Sequence, residues 1–281
     1  MAERLKVGIV DFLNSKPLAW GFLQGAFDDR IEPSYHPPAE VADLLAAGAI
    51  DVGLIPSIEA LRIPGCAVIP GTCVAATREV RSVLLLLRRP ISAVQRIALD
   101  SNSRTSIALL EILLADLWQV EPDLEVRPQS ASGVPEGFDA ALIIGDPALR
   151  VDRSSFEVVD LAAAWRRLTG LPFVFAVWAT RQGLSPDGLA TYFERSRAAG
   201  CLEIRRIVQQ AVLEQGLVAA EVTTYLTENL RFVLGPEEIA GLREFWSTAK
   251  RHGLVDRAEP SGPIASEFAM TASLASTSSI P

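Results

Sequence analysis

Short apolar runs of strand length recur along the first 180 residues, separated by polar turns and by stretches with helical spacing. Residues 5–10, 51–55 and 80–88 combine aliphatic or β-branched residues with flanking turn formers, a pattern typical of buried strands. Pro38 stands where the first turn of a helix over residues 39–47 is expected. Because near-continuous apolar strands alternate with helices, the pattern predicts an α/β protein with mostly parallel sheets covered on both faces.

A second set of similar elements follows the first. It comprises predicted strands at 96–99, 124–126, 140–144 and 157–159 and predicted helices at 107–118 and 162–168. Two such sets predict two lobes with a central cleft, joined by crossings near 87–90 and 177–182. We expect lobe I to hold residues 1–88 and 181–281 and lobe II residues 89–180. Residues 186–253 show a helical pattern only, and a Ser-, Ala- and Thr-rich flexible tail is expected from about residue 258.

Charge and hydropathy limit the classes of function. The chain carries 26 Lys and Arg residues against 34 Asp and Glu residues, a formal net charge of −8. This disfavours general binding to nucleic acid or to a membrane surface, since both need a basic face. An anionic ligand would therefore need a local positive potential. Because the N-terminal segment has no apolar run of secretory length, we expect a cytoplasmic protein without membrane contact.

The residues that usually carry metal or nucleophilic chemistry are scarce. Cys66, Cys73 and Cys201 form no CxxC pair, which favours free buried thiols in a reducing compartment. His36, in a predicted loop, and His252 lack the spacing of a zinc site, so we expect neither a metal nor another cofactor. No P-loop, GxSxG elbow or GxGxxG turn follows a strand. These absences disfavour nucleotide hydrolases, serine hydrolases and dinucleotide oxidoreductases and leave chemistry to hydroxyls, amides, carboxylates and backbone dipoles.

Polar residues gather at strand-to-helix turns, where open α/β sheets bind their ligands. Asn14 and Ser15 follow the first strand, where they either cap the next helix or help to receive a carboxylate. A stronger candidate is the turn that opens the helix over 107–118, because its hydroxyls, free N–H groups and one guanidinium form an anion cradle. It comprises Ser101, Asn102, Ser103, Arg104, Thr105 and Ser106.

Three further turns leave two interpretations open. Arg81 and Ser82 begin a long apolar strand, where a polar pair either lines the cleft or marks a surface edge. Gly145 and Asp146 either form a plain turn, with Asp146 as the N-cap of a short helix, or lie in the cleft. Ser57 ends the strand over residues 51–55 at a similar turn.

Seven segments occur in an order that resembles the chorismate dehydratase family of the futalosine route to menaquinone. They are VGIVDFLNSKPL, LLAAGAIDVGLIPSIEAL, VRSVLLLLR, IALDSNSRTSIALLEILL, ALIIGDPAL, LTGLPFVFAVWA and YLTENLRFVLG, which together span about residues 5–250. The resemblance implies a two-lobed, periplasmic-binding-protein-like type II fold. It also implies that the protein eliminates water from chorismate, its small-molecule partner, to give 3-[(1-carboxyvinyl)oxy]benzoate.

The same resemblance implies roles for individual residues. The asparagine of the family's FLNxxPL loop matches Asn14, and the serine that opens the long strand matches Ser82, so both are expected to act on the substrate. The SRTS helix entrance, residues 103–106, is expected to bind a substrate carboxylate. Weaker matches at cleft turns are Ser57, Gly145 and Asp146.

The proton acceptor and the function itself have stated alternatives. The resemblance implies that the substrate's own enolpyruvyl carboxylate removes the proton, with Asp11, Asp100 and Asp146 as rival protein bases. A non-catalytic binding protein of the same fold is expected to carry an export signal, and a regulator's effector domain an attached helix-turn-helix. The chain instead begins directly with the first strand. The sister enzyme 1,4-dihydroxy-6-naphthoate synthase is expected to use a second-lobe histidine, and residues 89–179 contain none.

Overall fold

Two mixed β-sheets flanked by helices form the framework of the molecule. The computed structural model describes residues 4–25, 30–128, 133–257 and 259–260, so most of the predicted tail lies outside the described residues. The strands are β1 (Leu5–Val10), β2 (Ile31–His36), β3 (Val52–Pro56), β4 (Ala67–Ala76), β5 (Val83–Leu87), β6 (Arg96–Asp100), β7 (Asp123–Arg127), β8 (Ala140–Ile144), β9 (Glu157–Asp160), β10 (Phe173–Thr180) and β11 (Leu230–Leu234). The helices are α1 (Lys16–Leu23), α2 (Pro38–Ala46), α3 (Glu59–Arg62), α4 (Arg104–Leu113), α5 (Asp146–Leu149), α6 (Leu161–Thr169), α7 (Ala190–Leu202), α8 (Ile204–Gln215), α9 (Ala219–Thr224) and α10 (Pro236–Arg251).

The sheets contain both parallel and antiparallel pairs. The first has the order β11-β4-β10-β3-β1-β2, and the second has the order β7-β6-β8-β5-β9. β1 runs parallel to β2 and β3, and β6 runs parallel to β7 and β8. β10 is antiparallel to β3 and β4, and β5 is antiparallel to β8 and β9. The prediction of mostly parallel sheets is therefore wrong, because β5 and β10 reach their sheets directly from the other lobe, without the crossover helix that parallel pairing requires.

The two sheets define two lobes, but the predicted boundaries between the lobes are wrong. β5 belongs to the second sheet and β10 to the first, whereas the boundaries at 88/89 and 180/181 assign each of them to the other lobe. The chain crosses between the sheets at residues 77–82 and 170–172 instead. After the second crossing it remains with the first lobe, where β11 pairs with β4 and α7 packs on α1.

Some local assignments also differ from the sequence pattern. β2, β4 and β11 are strands that the pattern does not predict, and β11 interrupts the region expected to be helical only. His36 ends β2 rather than lying in a loop, and its Nδ1 is 3.0 Å from Glu40 Oε1. All three cysteines are free, but Cys201 is exposed because it lies near the solvent-facing end of α7.

Close packing in the first lobe fixes the segment that carries Asn14. α7 lies so close to α1 that a Cβ added at Gly200 would sit 2.0 Å from the carbonyl oxygen of Pro17. The aromatic rings of Phe22, Trp178 and Phe193 fill the space beneath, with centroids 4.7–6.2 Å apart. These well-packed neighbours hold the start of α1 in place. Because the turn that carries Asn14 directly precedes α1, its position is fixed as well.

Candidate functional site

A pocket that is partly open to solvent lies between the two sheets. Apolar side chains from both lobes form much of its wall, among them Val10, Phe12, Leu54, Val83, Ile144 and Phe175. Uncharged polar side chains gather at the strand ends and turns, namely Asn14, Ser82, Asn102, Ser103, Thr105 and Ser106. The pocket therefore suits a small ligand with one flat apolar part and several polar groups.

The 3-10 turn Leu13–Ser15 presents Asn14 to the pocket. Ser15 is buried, and its hydroxyl donates to the carbonyl oxygens of Val10 and Phe12, so it closes the turn on itself. The Leu13 N–H donates to Asp146 Oδ1 over 2.9 Å, which ties the turn to the start of α5 in the other lobe. Asn14 is thus held from both sides, while its amide remains on the pocket surface.

Ser82 lies in the first crossing, immediately before β5, and is fully buried. Its carbonyl oxygen accepts the Gly145 N–H over 2.8 Å, which joins this crossing to the end of β8. The hydroxyl of Tyr225, from the π-helical turn Tyr225–Asn229, donates to Ser82 Oγ over 2.8 Å. The Asn14 side chain is close enough to lower the pKa of Tyr225, so one buried phenol adjoins both residues expected to act on the substrate.

The N-terminus of α4 faces the pocket without a side-chain cap. Ser103, Thr105 and Ser106 are all at least 95% buried, and Thr105 Oγ1 accepts the Ile58 N–H over 3.2 Å. Within the described part of the chain, Ser103 Oγ is a buried polar atom with no hydrogen-bond partner. An uncapped helix start, beside a hydroxyl that has no partner among the described residues, is suited to bind an anion.

Arg104 lines the pocket, but the protein's own carboxylates take up its charge. Its terminal nitrogens donate to Glu59 Oε2 over 3.1 Å and to both oxygens of Asp43 over 2.8 and 2.9 Å. Burial alone would lower the pKa of Arg104, but these hydrogen bonds and charges raise it above its ordinary value. These ion pairs link the two lobes, and the predicted contact between Arg104 and the ligand stays a prediction.

Four predicted residues do not line the pocket. Ser57 Oγ donates to the carbonyl oxygen of Val174 over 2.7 Å, and Ser15 closes its own turn as described above. Arg81 lies in a separate depression with Arg153. Asp146 uses both oxygens, since Gln215 Nε2 donates to Oδ2 over 2.8 Å and Leu13 takes Oδ1. The structure thus does not bring these four to the pocket lining, because their polar groups are satisfied by the protein or lie elsewhere, and their substrate contacts stay predictions.

Gly145 shapes the pocket through the absence of a side chain. Its backbone has φ 67° and ψ −151°, a combination that essentially only glycine adopts. A Cβ at this position would lie 2.6–2.7 Å from three ring atoms of Phe12. The ring of Phe12 can therefore lie against the β8 turn and form part of the pocket wall.

Asp100 is a buried carboxyl at the end of β6, behind the α4 turn. Its Oδ1 accepts the Asn102 N–H over 2.9 Å, but Oδ2 is buried and has no partner in the described residues. Burial raises the pKa of Asp100 from 3.8 to about 6, although hydrogen bonds from Asn102 act in the opposite direction.

We predict that Asp100→Asn changes the pH dependence of stability. Between pH 3.8 and about pH 6 the Asp100 carboxyl is protonated in the folded protein but ionised in the unfolded chain. Lowering the pH through this window therefore stabilises the wild type. The free energy of unfolding of the wild type minus that of the variant should therefore rise by at most about 3 kcal/mol as the pH falls from about 8 to about 4. Urea titrations of both proteins at several pH values measure this difference, and a pH-independent difference would contradict the assignment.

Neither a metal-binding cluster nor a membrane-spanning helix occurs among the described residues. No group of three or more His, Cys, Asp or Glu side chains is arranged there to hold a metal ion. No helix in that part of the chain is long and apolar enough to cross a membrane.

Tyr225, Phe12 and Phe175 are pocket or near-pocket residues that the sequence pattern does not identify. Phe12 and Tyr225 lie in segments that carry the family resemblance, and their place in those segments was the available signal. Phe175 lies within a strand whose apolar pattern indicates only core packing. None of the three shows a residue pattern that distinguishes a pocket wall from a buried core.

Comparison with known proteins gives the family and the fold. A family model described as menaquinone biosynthesis matches residues 5–251. The chain is 29% identical to a chorismate dehydratase of Thermus thermophilus over 227 residues, covering 74% of this chain and 83% of that protein. It is 26% identical to a chorismate dehydratase of Campylobacter jejuni over 251 residues, covering 86% and 96%.

Solved structures resemble the chain in fold at low sequence identity. Protein AF1704 from Archaeoglobus fulgidus has a TM-score of 0.76 at 17% identity, with 90% of this chain and 99% of that chain covered. The periplasmic aliphatic sulphonate binding protein SsuA from Escherichia coli has a TM-score of 0.63 at 15% identity, with 94% of each chain covered. The predicted two-lobed, periplasmic-binding-protein-like fold is thereby confirmed.

Proposed function

The chain belongs to the menaquinone biosynthesis family, and on that basis we infer that it is a chorismate dehydratase of the futalosine route. This hydro-lyase removes water from chorismate and forms 3-[(1-carboxyvinyl)oxy]benzoate. Relatives that carry the enzyme's name support the inference. The observation in the structure that carries it is the donor-rich pocket, in which Arg104 is the only ionisable side chain among the described lining residues.

Chorismate carries two carboxylates, and the pocket offers two groups of hydrogen-bond donors. One group is the start of α4, with the N–H groups of its first turn and the hydroxyls of Ser103 and Ser106. The other group is the pair Asn14 and Ser82. Because the net charge of the protein is −8, a dianion needs such local donors to offset the long-range repulsion. The apolar walls, including Phe12 and Phe175, provide an apolar surface against which the ring can lie.

The elimination itself needs stabilisation of charge more than a strong base. The proton leaves C3, and the electron pair of that bond forms a double bond to C4 as the C4–O bond breaks. As the C3 proton departs, negative charge spreads through the ring double bonds onto the ring carboxylate. Donors already fixed around that carboxylate stabilise the charge without reorganising, and such stabilisation often contributes more to catalysis than any other effect. Loss of water also makes the ring aromatic, so the reaction runs strongly downhill.

The proton acceptor is proposed to be the enolpyruvyl carboxylate of the substrate. It takes the C3 proton, which then leaves with the C4 hydroxide as water. The rival bases are poorly placed for this step, since Asp11 is exposed and neither Asp100 nor Asp146 lines the pocket. Asp146 is further occupied by Leu13 and Gln215. The protein's contribution is then to orient the substrate and to stabilise the anion.

A cytoplasmic location is part of the same proposal. The three free cysteines support it, because free thiols are typical of reducing compartments.

Incubation of the purified protein with chorismate tests the proposed function. We expect the diene absorbance to fall and an enolpyruvyl-benzoate with the mass of chorismate less one water to appear. Heat-denatured protein serves as the control for spontaneous decay. Tight binding of chorismate without product would contradict the proposal and indicate a non-catalytic binding protein of the same fold.

A further inference from the structure

Tyr225 links three segments that are far apart in sequence. It is 1% exposed and lies in the π-helical turn after α9, while its hydroxyl oxygen is 2.8 Å from Ser82 Oγ, 143 residues away. Its second polar neighbour is the side chain of Asn14, in the turn after β1. Ser82 cannot be reoriented without breaking its hydrogen bond to this buried phenol.

The protons of this network can be assigned by chemistry. A phenol has one proton, and the Tyr225 hydroxyl donates it to Ser82 Oγ. The proton of Ser82 is then free to be donated elsewhere, and Ser82 lies on the pocket surface. A carboxylate can only accept, so an anionic ligand selects the direction of the chain from Tyr225 through Ser82 to the ligand.

We propose that Tyr225 is a positioning residue, whose hydroxyl orients Ser82 as a donor toward the anionic substrate. The proposal rests on the proposed function and extends it to a residue outside the pocket lining.

Burial keeps the relay in one protonation state. Desolvation raises the pKa of Tyr225 well above its ordinary value, although the hydrogen bond with Ser82 and the nearby Asn14 side chain act in the opposite direction. The phenol therefore remains a neutral donor throughout the neutral pH range. Because chains of hydrogen bonds polarise one another, the Ser82 hydroxyl becomes a stronger donor than an isolated serine would be.

Tyr225→Phe tests the proposal, because it retains the buried ring and removes only the hydroxyl. We expect kcat/KM for chorismate to fall by about 10-fold, as is typical when one neutral hydrogen bond near the reacting group is lost. The fall should lie mainly in kcat, because the oriented donors act most strongly on the charge that develops in the transition state. Thermal unfolding identifies any variant whose loss reflects partial unfolding.

A double-mutant cycle with Ser82→Ala separates positioning from a merely structural role. If Tyr225 acts through Ser82, Tyr225→Phe should lower kcat/KM by at most about 3-fold once Ser82 is already alanine. Combined with Ser103→Ala, which removes a hydroxyl of the separate α4 donor group, the two losses should multiply. Equal losses in the wild-type and Ser82→Ala backgrounds would overturn the proposal, as would full activity of Tyr225→Phe.

Tyr192→Phe is the matched control. The Tyr192 hydroxyl also accepts a hydrogen bond, from Arg30, but it lies away from the pocket. Its loss should leave chorismate turnover within about 2-fold of the wild type, well below one hydrogen bond's effect at the site. A wild-type protein that does not convert chorismate would refute the proposed function itself, whereas an active wild type with an equally active Tyr225→Phe variant would refute only this inference.

Discussion

Replacing Asn14 with alanine is expected to lower kcat/KM for chorismate by about 10- to 100-fold while the protein stays folded. The variant loses a donor to a charged substrate, which is worth about 1.5–3 kcal/mol in the transition state. It also removes a polar neighbour of Tyr225, whose hydroxyl donates to Ser82, so the orientation of Ser82 is affected as well. Steady-state kinetics of the purified variant, with its thermal unfolding curve, measure both effects.

Ser34→Ala is the control for the Asn14 experiment. The sequence pattern places Ser34 in a loop, whereas the structure places it in the edge strand β2, opposite Gly8 and outside the pocket lining. Because its hydroxyl has no part in the pocket, the variant should keep wild-type kinetics. Wild-type kinetics in a folded Asn14→Ala protein would contradict the assignment of Asn14 to the substrate.

Gly145→Ala is expected to produce the largest combined loss of stability and activity. The new methyl group would meet the Phe12 ring at 2.6–2.7 Å, in a backbone conformation that alanine rarely adopts. Overpacking and strain together should lower the free energy of unfolding by about 2–4 kcal/mol. Since Phe12 can yield only toward the pocket or by moving its turn, we expect kcat/KM to fall by about 100-fold or more.

Two further variants separate the causes of this loss. Gly216→Ala shares the φ of 67°, but nothing lies within 4 Å of its added Cβ, so it should cost only about 1 kcal/mol and no activity. Gly145→Ala combined with Phe12→Leu removes the ring that the methyl group meets and should recover part of the stability. A double variant no more stable than Gly145→Ala alone would show that the ring contact is unimportant.

The sequence was informative about strands whose apolar runs end at clear turn residues. β1, β3 and β8 match their predicted ranges closely because buried strands in α/β sheets are nearly all apolar. β4 was not predicted by this pattern, since Pro70 and Gly71 suggest a turn in the middle of the segment. In the structure both residues lie where the pairing of β4 with β10 is irregular, and Gly71 has φ 91°. Only the partner strand decides between a turn and a bulge.

The lobe boundaries failed for a related reason. β5 and β10 are the most apolar segments, and an apolar run does not reveal which of two sheets it enters. The true crossings do carry a local signal, because residues 77–79 are polar and residues 170–172 contain Gly170 and Pro172.

For the site, the local motifs predicted which turns converge but not which atoms are free. Asn14, Ser82 and the α4 turn do meet at one pocket, as the positions of their strand ends suggest. Asp146 and Arg104 were also predicted to contact the substrate, yet partners distant in sequence take up their polar atoms. Tyr225 shows the converse, since no motif marks a tyrosine that reaches its partner across 143 residues. Whether a polar group has a hydrogen-bond partner is thus decided by the fold and not by the local motif.

The central claim is that the pocket orients chorismate and stabilises its anion while the substrate removes its own proton. Turnover of a chorismate analogue whose side-chain carboxylate is replaced by an amide tests this most directly. The claim predicts that the analogue binds, displaces chorismate and loses no water, because a positioned base is worth about 10²- to 10⁴-fold in rate. Elimination of water from the bound analogue at the rate measured for chorismate would contradict it.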